Sequence, residues 1–285
     1  MRYRFIFLVL ISFCAFAQHP EMKTLLIYTQ KANEFSQKNA LTSDYNEYLL
    51  RIAKSFIGDP YLSHTLDTES SEKLVVRLDG FDCTTYVESV LALARTLRRG
   101  GNYQDFCREL EFVRYRGGKL NGYCSRLHYF SEWIIDNIQK GTIIDVTASM
   151  GGKEIRFSLN FMSTHVNLYT PLKGAPERID SMRHFEQIIS GRKFSYIPKE
   201  EVRLHENDLR DGDIVAFTTA VPGLDIGHVG FVLKGKDGSA FLLHAPQEGS
   251  NIRIASETLG DYIMKVKKHS GIIVLRPLLN GIDEK

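Results

Sequence analysis

Apolar positions follow two regimes along the chain. In the first half they recur three and four residues apart, as on one face of a helix. From about residue 208 they come in short runs broken by glycine and aspartate, as in strands. Glu21 to Gln37 reads as a modestly amphipathic helix. A second is capped by Thr42-Ser43-Asp44, runs to about Phe56 with Leu49, Ile52, Ala53 and Phe56 on one face, and stops at Gly58-Asp59-Pro60. Leu74 to Leu78 reads as a short strand. Tyr86 to Leu97 carries Val87, Val90, Leu91, Ala94 and Leu97 as a wide apolar stripe, which predicts a central buried helix ended by Arg98-Arg99-Gly100-Gly101. Tyr103 to Arg114 and Leu127 to Ile138 are further helices. Ile143 to Val146 and Lys153 to Phe157 read as a hairpin around Met150-Gly151-Gly152, and Phe185 to Ile189 as a short helix. Then come four strands: Gly212 to Phe217, His228 to Leu233, Ala240 to Ala245 and Gly271 to Arg276, with Lys236-Asp237-Gly238 as a tight turn. Helices first and antiparallel strands afterwards predict an α+β fold.

Composition narrows the function classes only a little. At 285 residues, 25% charged and 43% hydrophobic, the chain reads as an ordinary globular protein with room for a full core. A net charge of +2, with Arg98-Arg99 and Lys265 to Lys268 as solvated faces, gives no footprint for nucleic acid. The N-terminus says more. Arg2 and Arg4 precede an apolar run from Phe5 to Phe16, and Ala15-Phe16-Ala17 has the small-x-small pattern before Gln18. This reads as a secretory signal peptide over residues 1–17, too short to span a bilayer. Cys14 raises lipid modification as an alternative, against which Phe13 stands where a very small residue is needed. No later segment is long and apolar enough to cross a membrane, so the expected location is periplasmic or secreted.

Candidate chemistry centres on Gly80-Phe81-Asp82-Cys83-Thr84-Thr85-Tyr86-Val87-Glu88. It sets a cysteine where an irregular segment becomes the most apolar helix. Unpaired N–H groups and the positive end of the helix dipole favour thiolate there, the form that acts as nucleophile. Either Asp82 is the N-cap, or Thr85 with Glu88 forms a capping box that leaves Cys83 just outside. The plainer reading is a buried cysteine packing as a small hydrophobe. With Cys14 removed, Cys83, Cys107 and Cys124 make an odd count, so at least one thiol is free. If Cys107 and Cys124 pair, Cys83 is the one left over.

Two histidines supply what a thiol needs. His228 opens the second strand and His244 ends the third, so a hairpin brings them within contact range. His228 then serves as base and His244 as the group fixing its tautomer, with the Cys83 N–H contributing to an oxyanion hole. A thiolate–imidazolium pair of this kind predicts a bell-shaped pH profile. Either histidine alone would read as structural. Asp225, in the loop before His228, is near enough to touch the cleft, but a solvated loop aspartate is the plainer reading; Asn160 to Tyr169 reads as scaffold. No His-Glu-x-x-His or comparable set occurs, so neither a metal nor another cofactor is read.

Phe81-Asp82-Cys83, Gly212-Asp213-Ile214-Val215, His228-Val229-Gly230-Phe231 and Leu243-His244-Ala245 resemble the signature blocks of the NlpC/p60 superfamily, papain-like cysteine hydrolases of bacterial cell-wall peptides. His228 follows Cys83 by 145 positions, a longer gap than compact members need. The intervening Arg114-Tyr115-Arg116-Gly117-Gly118 and Tyr123-Cys124-Ser125-Arg126-Leu127-His128-Tyr129-Phe130, with the cysteine block, resemble the narrower N-acetylmuramoyl-L-alanine amidase-like family over about residues 41–277. The resemblance implies a central antiparallel sheet packed on a helix that starts with the catalytic cysteine. It also implies extra helical segments and an insertion over about 103–205 within a domain spanning 41–285, after a helical segment over 18–40. Cys83, His228 and His244 take the nucleophile, base and orienting positions. The implied reaction is cleavage of the amide between N-acetylmuramic acid and L-alanine, in peptidoglycan or soluble muropeptides, by a monomer. Tyr123, Ser125, Arg126, His128, Tyr129 and Asp82 are the candidate substrate-binding residues, because arginine forks and hydroxyls suit carboxylates and sugars. A loop with Ser125 as helix cap is the plainer reading of that segment. The competing functions are an endopeptidase cutting between D-glutamate and the diamino acid, a zinc amidase, and a wall-binding module on an inactive scaffold.

Overall fold

The structure, a computed structural model, describes residues 20–35, 44–67 and 71–279. The candidate signal peptide, Cys14 and the Thr42-Ser43 part of the second cap lie outside them. Helix α1 spans Pro20–Glu34. Helix α2 spans Tyr45–Lys54, with the Asp44 carboxylate accepting from the Asn46 N–H at 2.9 Å. Helix α3, Cys83–Arg98, is the centre of the molecule: every residue from Thr85 to Leu97 is buried. Its apolar side chains meet the sheet, and its buried charges, Glu88 and Arg95, are each paired. Glu88 accepts from Arg114 Nε at 2.7 Å, and Arg95 donates to Glu109 at 2.8 Å. Buried charge persists only when paired in this way. Helix α4 (Tyr103–Arg114) packs against it, and α5 (Phe130–Gln139) packs on α4.

Strands β1 (Ile143–Asp145), β2 (Lys153–Ile155), β3 (Phe194–Pro198), β4 (Ile214–Thr219), β5 (Ile226–Lys234), β6 (Ala240–His244), β7 (Arg253–Thr258) and β8 (His269–Pro277) form one antiparallel sheet in the order β2-β3-β8-β4-β5-β6-β7, with β1 also on β8. The α+β reading holds. Alternation along the strands builds two cores. Ile214, Ala216, Val229, Phe231, Leu243 and Ile273 face α3, where the Tyr86 and Phe231 rings meet edge to face at 5.5 Å. Val215, Phe217, Val232, Leu242, Ile272 and Val274 face the other way, onto the short helix α8 (Leu259–Lys265). Each such fully buried side chain contributes about 1.5–3 kcal/mol.

Several expectations fail for identifiable reasons. The segments at 143 and 153 do not pair with each other: Ile144 lies opposite Arg276 on β8, and Glu154 opposite Ser195 on β3. Leu74 to Leu78 is extended but belongs to no strand. The helix expected at Phe185 is the longer Pro176–Ser190, α7, and α5 starts three residues later than expected. Between α5 and α7 lies one short helix, α6, at Phe161–Thr164.

Candidate active site

Cys83 is the first residue of α3. Asp82 is the N-cap: its Oδ1 accepts from the Thr85 N–H at 2.8 Å, while Thr85 Oγ1 accepts from the Asp82 N–H at 3.0 Å. That reciprocal box decides between the two caps, and Glu88 instead holds Arg114. The thiol is partly buried, and its pKa is pushed up to about 12, by burial first and by the Asp82 carboxylate next. The backbone N–H of Val229 and the groups of Thr84 pull the other way and lose. Burial thus outweighs the helix end here and favours the thiol over the thiolate.

The imidazoles meet as a bonded pair. His228 Nε2 and His244 Nδ1 are 2.7 Å apart, with rings 5.0 Å apart and nearly perpendicular. Phe231 pairs with Leu243, so the two histidines sit diagonally across the β5–β6 ladder on one face. Two backbone features permit this. A register shift between Phe217 and Thr218 leaves Gly227 unpaired beside His228, and such a bulge re-aims the neighbouring side chain. Gly230 lies between the pair, where a Cβ would sit 3.0 Å from His244 Cβ and 2.9 Å from the Leu243 carbonyl. Burial holds His228 well below the usual imidazole range, helped by His244 and His269. Burial also holds His244 down, to about 4, with Arg253 adding to it. Both rings are neutral at rest. Val229, whose N–H faces the thiol, follows His228 directly, and Cys83 and His228 line one cleft of about 330 Å³.

Of the candidate substrate-binding residues, Arg126, His128 and Tyr129 line this cleft. Arg126 is 5% exposed and bonded to Asp67, with Glu72 at 3.4 Å. Burial alone would lower its pKa, but the two carboxylates raise it by more, so it stays charged. His128 Nε2 lies 2.9 Å from the Tyr123 carbonyl, and burial together with Arg126 keeps the ring neutral. The Tyr129 hydroxyl donates to Glu186 at 2.7 Å and accepts from the Met162 N–H at 3.0 Å. Tyr123, Ser125 and Asp82 are not among the cleft-lining residues. The Tyr123 ring lies against His128 at 4.3 Å and a 45° tilt, and Ser125 Oγ closes a turn by donating to the Gly122 carbonyl at 2.7 Å. Nor does Ser125 cap α5, whose N-cap is Tyr129.

Four cleft residues escaped sequence reasoning. Asp225 is buried, not solvated: its Oδ2 accepts from the Ser131 N–H at 2.7 Å, at the start of α5. Met162 and Tyr169 come from the segment read as scaffold, and Asp67 faces Arg126 from the other wall. That segment is latched to the loop before His228, since the Phe161 and Asn160 N–H groups donate to the Gly223 carbonyl at 3.2 and 3.3 Å. Gly223 has φ 82° and no room for a Cβ, which would lie 2.4 Å from Asn160 Oδ1. Cys83, Cys107 and Cys124 are all free thiols, so Cys83 is not singled out by a pairing of the other two.

Comparison with known proteins places the chain. Residues 51–272 match the AmiA-like, N-acetylmuramoyl-L-alanine amidase-like family, and the chain belongs to that family. Among solved structures it is similar to an N-acetylmuramoyl-L-alanine amidase from Bacteroides uniformis, at 36% identity over 83% of this chain and 100% of that one, with a TM-score of 0.78. It is also similar to a Bacteroides fragilis protein provisionally named a xylanase, at 38% identity over 79% and 99%, TM-score 0.75. A Legionella pneumophila protein, at 21% identity over 89% and 97% with a TM-score of 0.64, shares the fold. No curated protein matches.

Proposed function

We propose that the protein is an exported peptidoglycan hydrolase of the NlpC/p60, papain-like type, a cysteine N-acetylmuramoyl-L-alanine amidase acting outside the cytoplasm. The observation that carries the reading is one cleft holding a helix-start thiol and a strand-start imidazole whose far nitrogen is engaged at 2.7 Å by a second imidazole. The name of the Bacteroides uniformis relative and the family support the bond.

When His228 Nε2–H donates to His244 Nδ1, the lone pair is left on His228 Nδ1, and this tautomer is the one a base for the thiol in the same cleft requires. Because thiol and imidazole are both neutral at rest, the proton moves from Sγ to Nδ1 as sulfur attacks the lactyl carbonyl. The imidazolium then protonates the departing L-alanine nitrogen as the C–N bond breaks, leaving a thioester. Water, deprotonated by the same imidazole, displaces Cys83 and regenerates the thiol. N–H groups at the start of α3 face the developing oxyanion.

A glycosidase, as the Bacteroides fragilis name suggests, needs one carboxylic acid and one carboxylate free to act on the same bond. The cleft's two carboxyls are committed, Asp67 to Arg126 and Asp225 to the start of α5. Weighing the products of purified muropeptide digestion tests the proposal. Release of an intact peptide beginning with L-alanine supports the amidase. Cleavage between D-glutamate and the diamino acid would make it an endopeptidase.

A further inference from the structure

Three rings from three further elements, Phe217, Tyr262 and His269, gather against the imidazole pair. Phe217 on β4 stacks on His269 of β8 at 4.8 Å and lies 5.9 Å from His228. Tyr262, from α8, meets His244 edge to face at 5.3 Å and 86°, and lies 5.5 Å from Phe217 and 6.4 Å from each of His228 and His269. Its hydroxyl is within electrostatic range of Cys83. Leu259 and Ile263, each 0% exposed, already anchor α8 to the sheet, so the fold does not need Tyr262 to hold that helix in place.

We propose that Tyr262 is a positioning residue whose ring walls the His228–His244 pair, fixing His244 edge-on in the rotamer that bonds His228 and keeping water from both rings. This rests on reading that pair as base and orienting group. The wall matters because a neutral imidazole is held neutral by exclusion of water. The other groups near the pair are His269 from β8, Arg253 and Glu257 from β7, with Lys199 acting on His269, and Cys83 from α3, which shares the cleft with His228. None of these supplies a flat ring against His244.

The test compares Tyr262→Phe, Tyr262→Leu and Tyr262→Ala in the full chain, on soluble muropeptides, with imidazole titrations followed by NMR. Phenylalanine keeps the ring, so kcat stays within about twofold. Alanine lowers kcat about tenfold or more, a share of the 10²–10⁴ a positioned base provides, with KM little changed. It also moves the acid limb upward by about one pH unit, and the His228 and His244 titrations move with it, because hydration favours the charged imidazole. Leucine fills the volume without the flat face, moves both readouts the same way by less, and serves if alanine does not fold. Overturning results are a Tyr262→Phe loss as large as that of alanine, or a kcat loss in which neither the acid limb nor the titrations move. The titrations are repeated with Cys83→Ala. Turnover persisting in Cys83→Ala would sink the amidase mechanism, whereas unmoved titrations in Tyr262→Ala and Tyr262→Leu would sink the wall alone.

Discussion

The two ends of the cleft handle burial in opposite ways. At one end Cys83, His228 and His244 carry no charge at rest, since burial raises the thiol and lowers both imidazoles. At the other end Arg126, 5% exposed, keeps its charge because Asp67 and Glu72 face it. Taking an ion out of water costs several kcal/mol unless a partner offsets it. The far end meets that cost with fixed counter-charges, while the near end avoids it until a proton moves. A fixed counter-ion beside His228 would raise its pKa and favour the imidazolium at rest. On the proposed reading, the groups that change charge in the reaction are kept neutral, and the charged Arg126 is kept paired.

Four experiments press on this contrast. The largest effect is expected from His228→Ala, which removes the base and should lower kcat by about 10²–10⁴ with KM nearly constant. A KM change without a kcat change would place His228 at the wrong end. Arg126→Met should act on stability, because it strands two carboxylates; a loss of about 3 kcal/mol is expected in denaturant titration. A loss as small as that of an exposed pair would show that Asp67 and Glu72 need no counter-charge. The pH profile sharpens the neutral end. His228 must be neutral to take the thiol proton, and its pKa lies well below the ordinary 6.5. Activity should hold as pH falls through 6.5 and fail only on the acid side of that value; the thiol, at about 12, adds no alkaline limb near neutrality. This replaces the bell shape expected of a standing ion pair, and an acid limb above pH 7 would restore it. The smallest change is expected from Tyr169→Phe. It deletes one hydroxyl at the cleft wall and should alter KM by less than about tenfold, the worth of one net hydrogen bond, with kcat unmoved.

The reaction end was legible in the sequence because short-range rules govern it. Asp82 and Thr85 cap the helix three residues apart, and a hairpin brings His228 to His244 whatever the rest of the chain does. The diagonal offset follows from the Phe231–Leu243 register, while nothing in the sequence predicts the bulge beside Gly227. The recognition end depends on distant partners. Arg126 finds Asp67 across 59 residues, and Asp225 finds the Ser131 N–H across 94. Met162 and Tyr169 sit among short helical turns that show no hydrophobic period. The misread hairpin has the same origin, since β1 and β2 each pair with strands far along the chain. Strand β7 and helix α8, which bring Arg253 and Tyr262 to the imidazoles, went unseen because neither carries a clear apolar period.

The central claim is that Cys83 attacks the substrate, and the direct measurement is the turnover of soluble muropeptides by wild type and Cys83→Ala, each shown to be folded. The account predicts that wild type frees the intact peptide from its sugar and that the variant loses turnover by at least about 10³-fold, as when a catalytic nucleophile is removed. Peptide release by Cys83→Ala at the wild-type rate would contradict it.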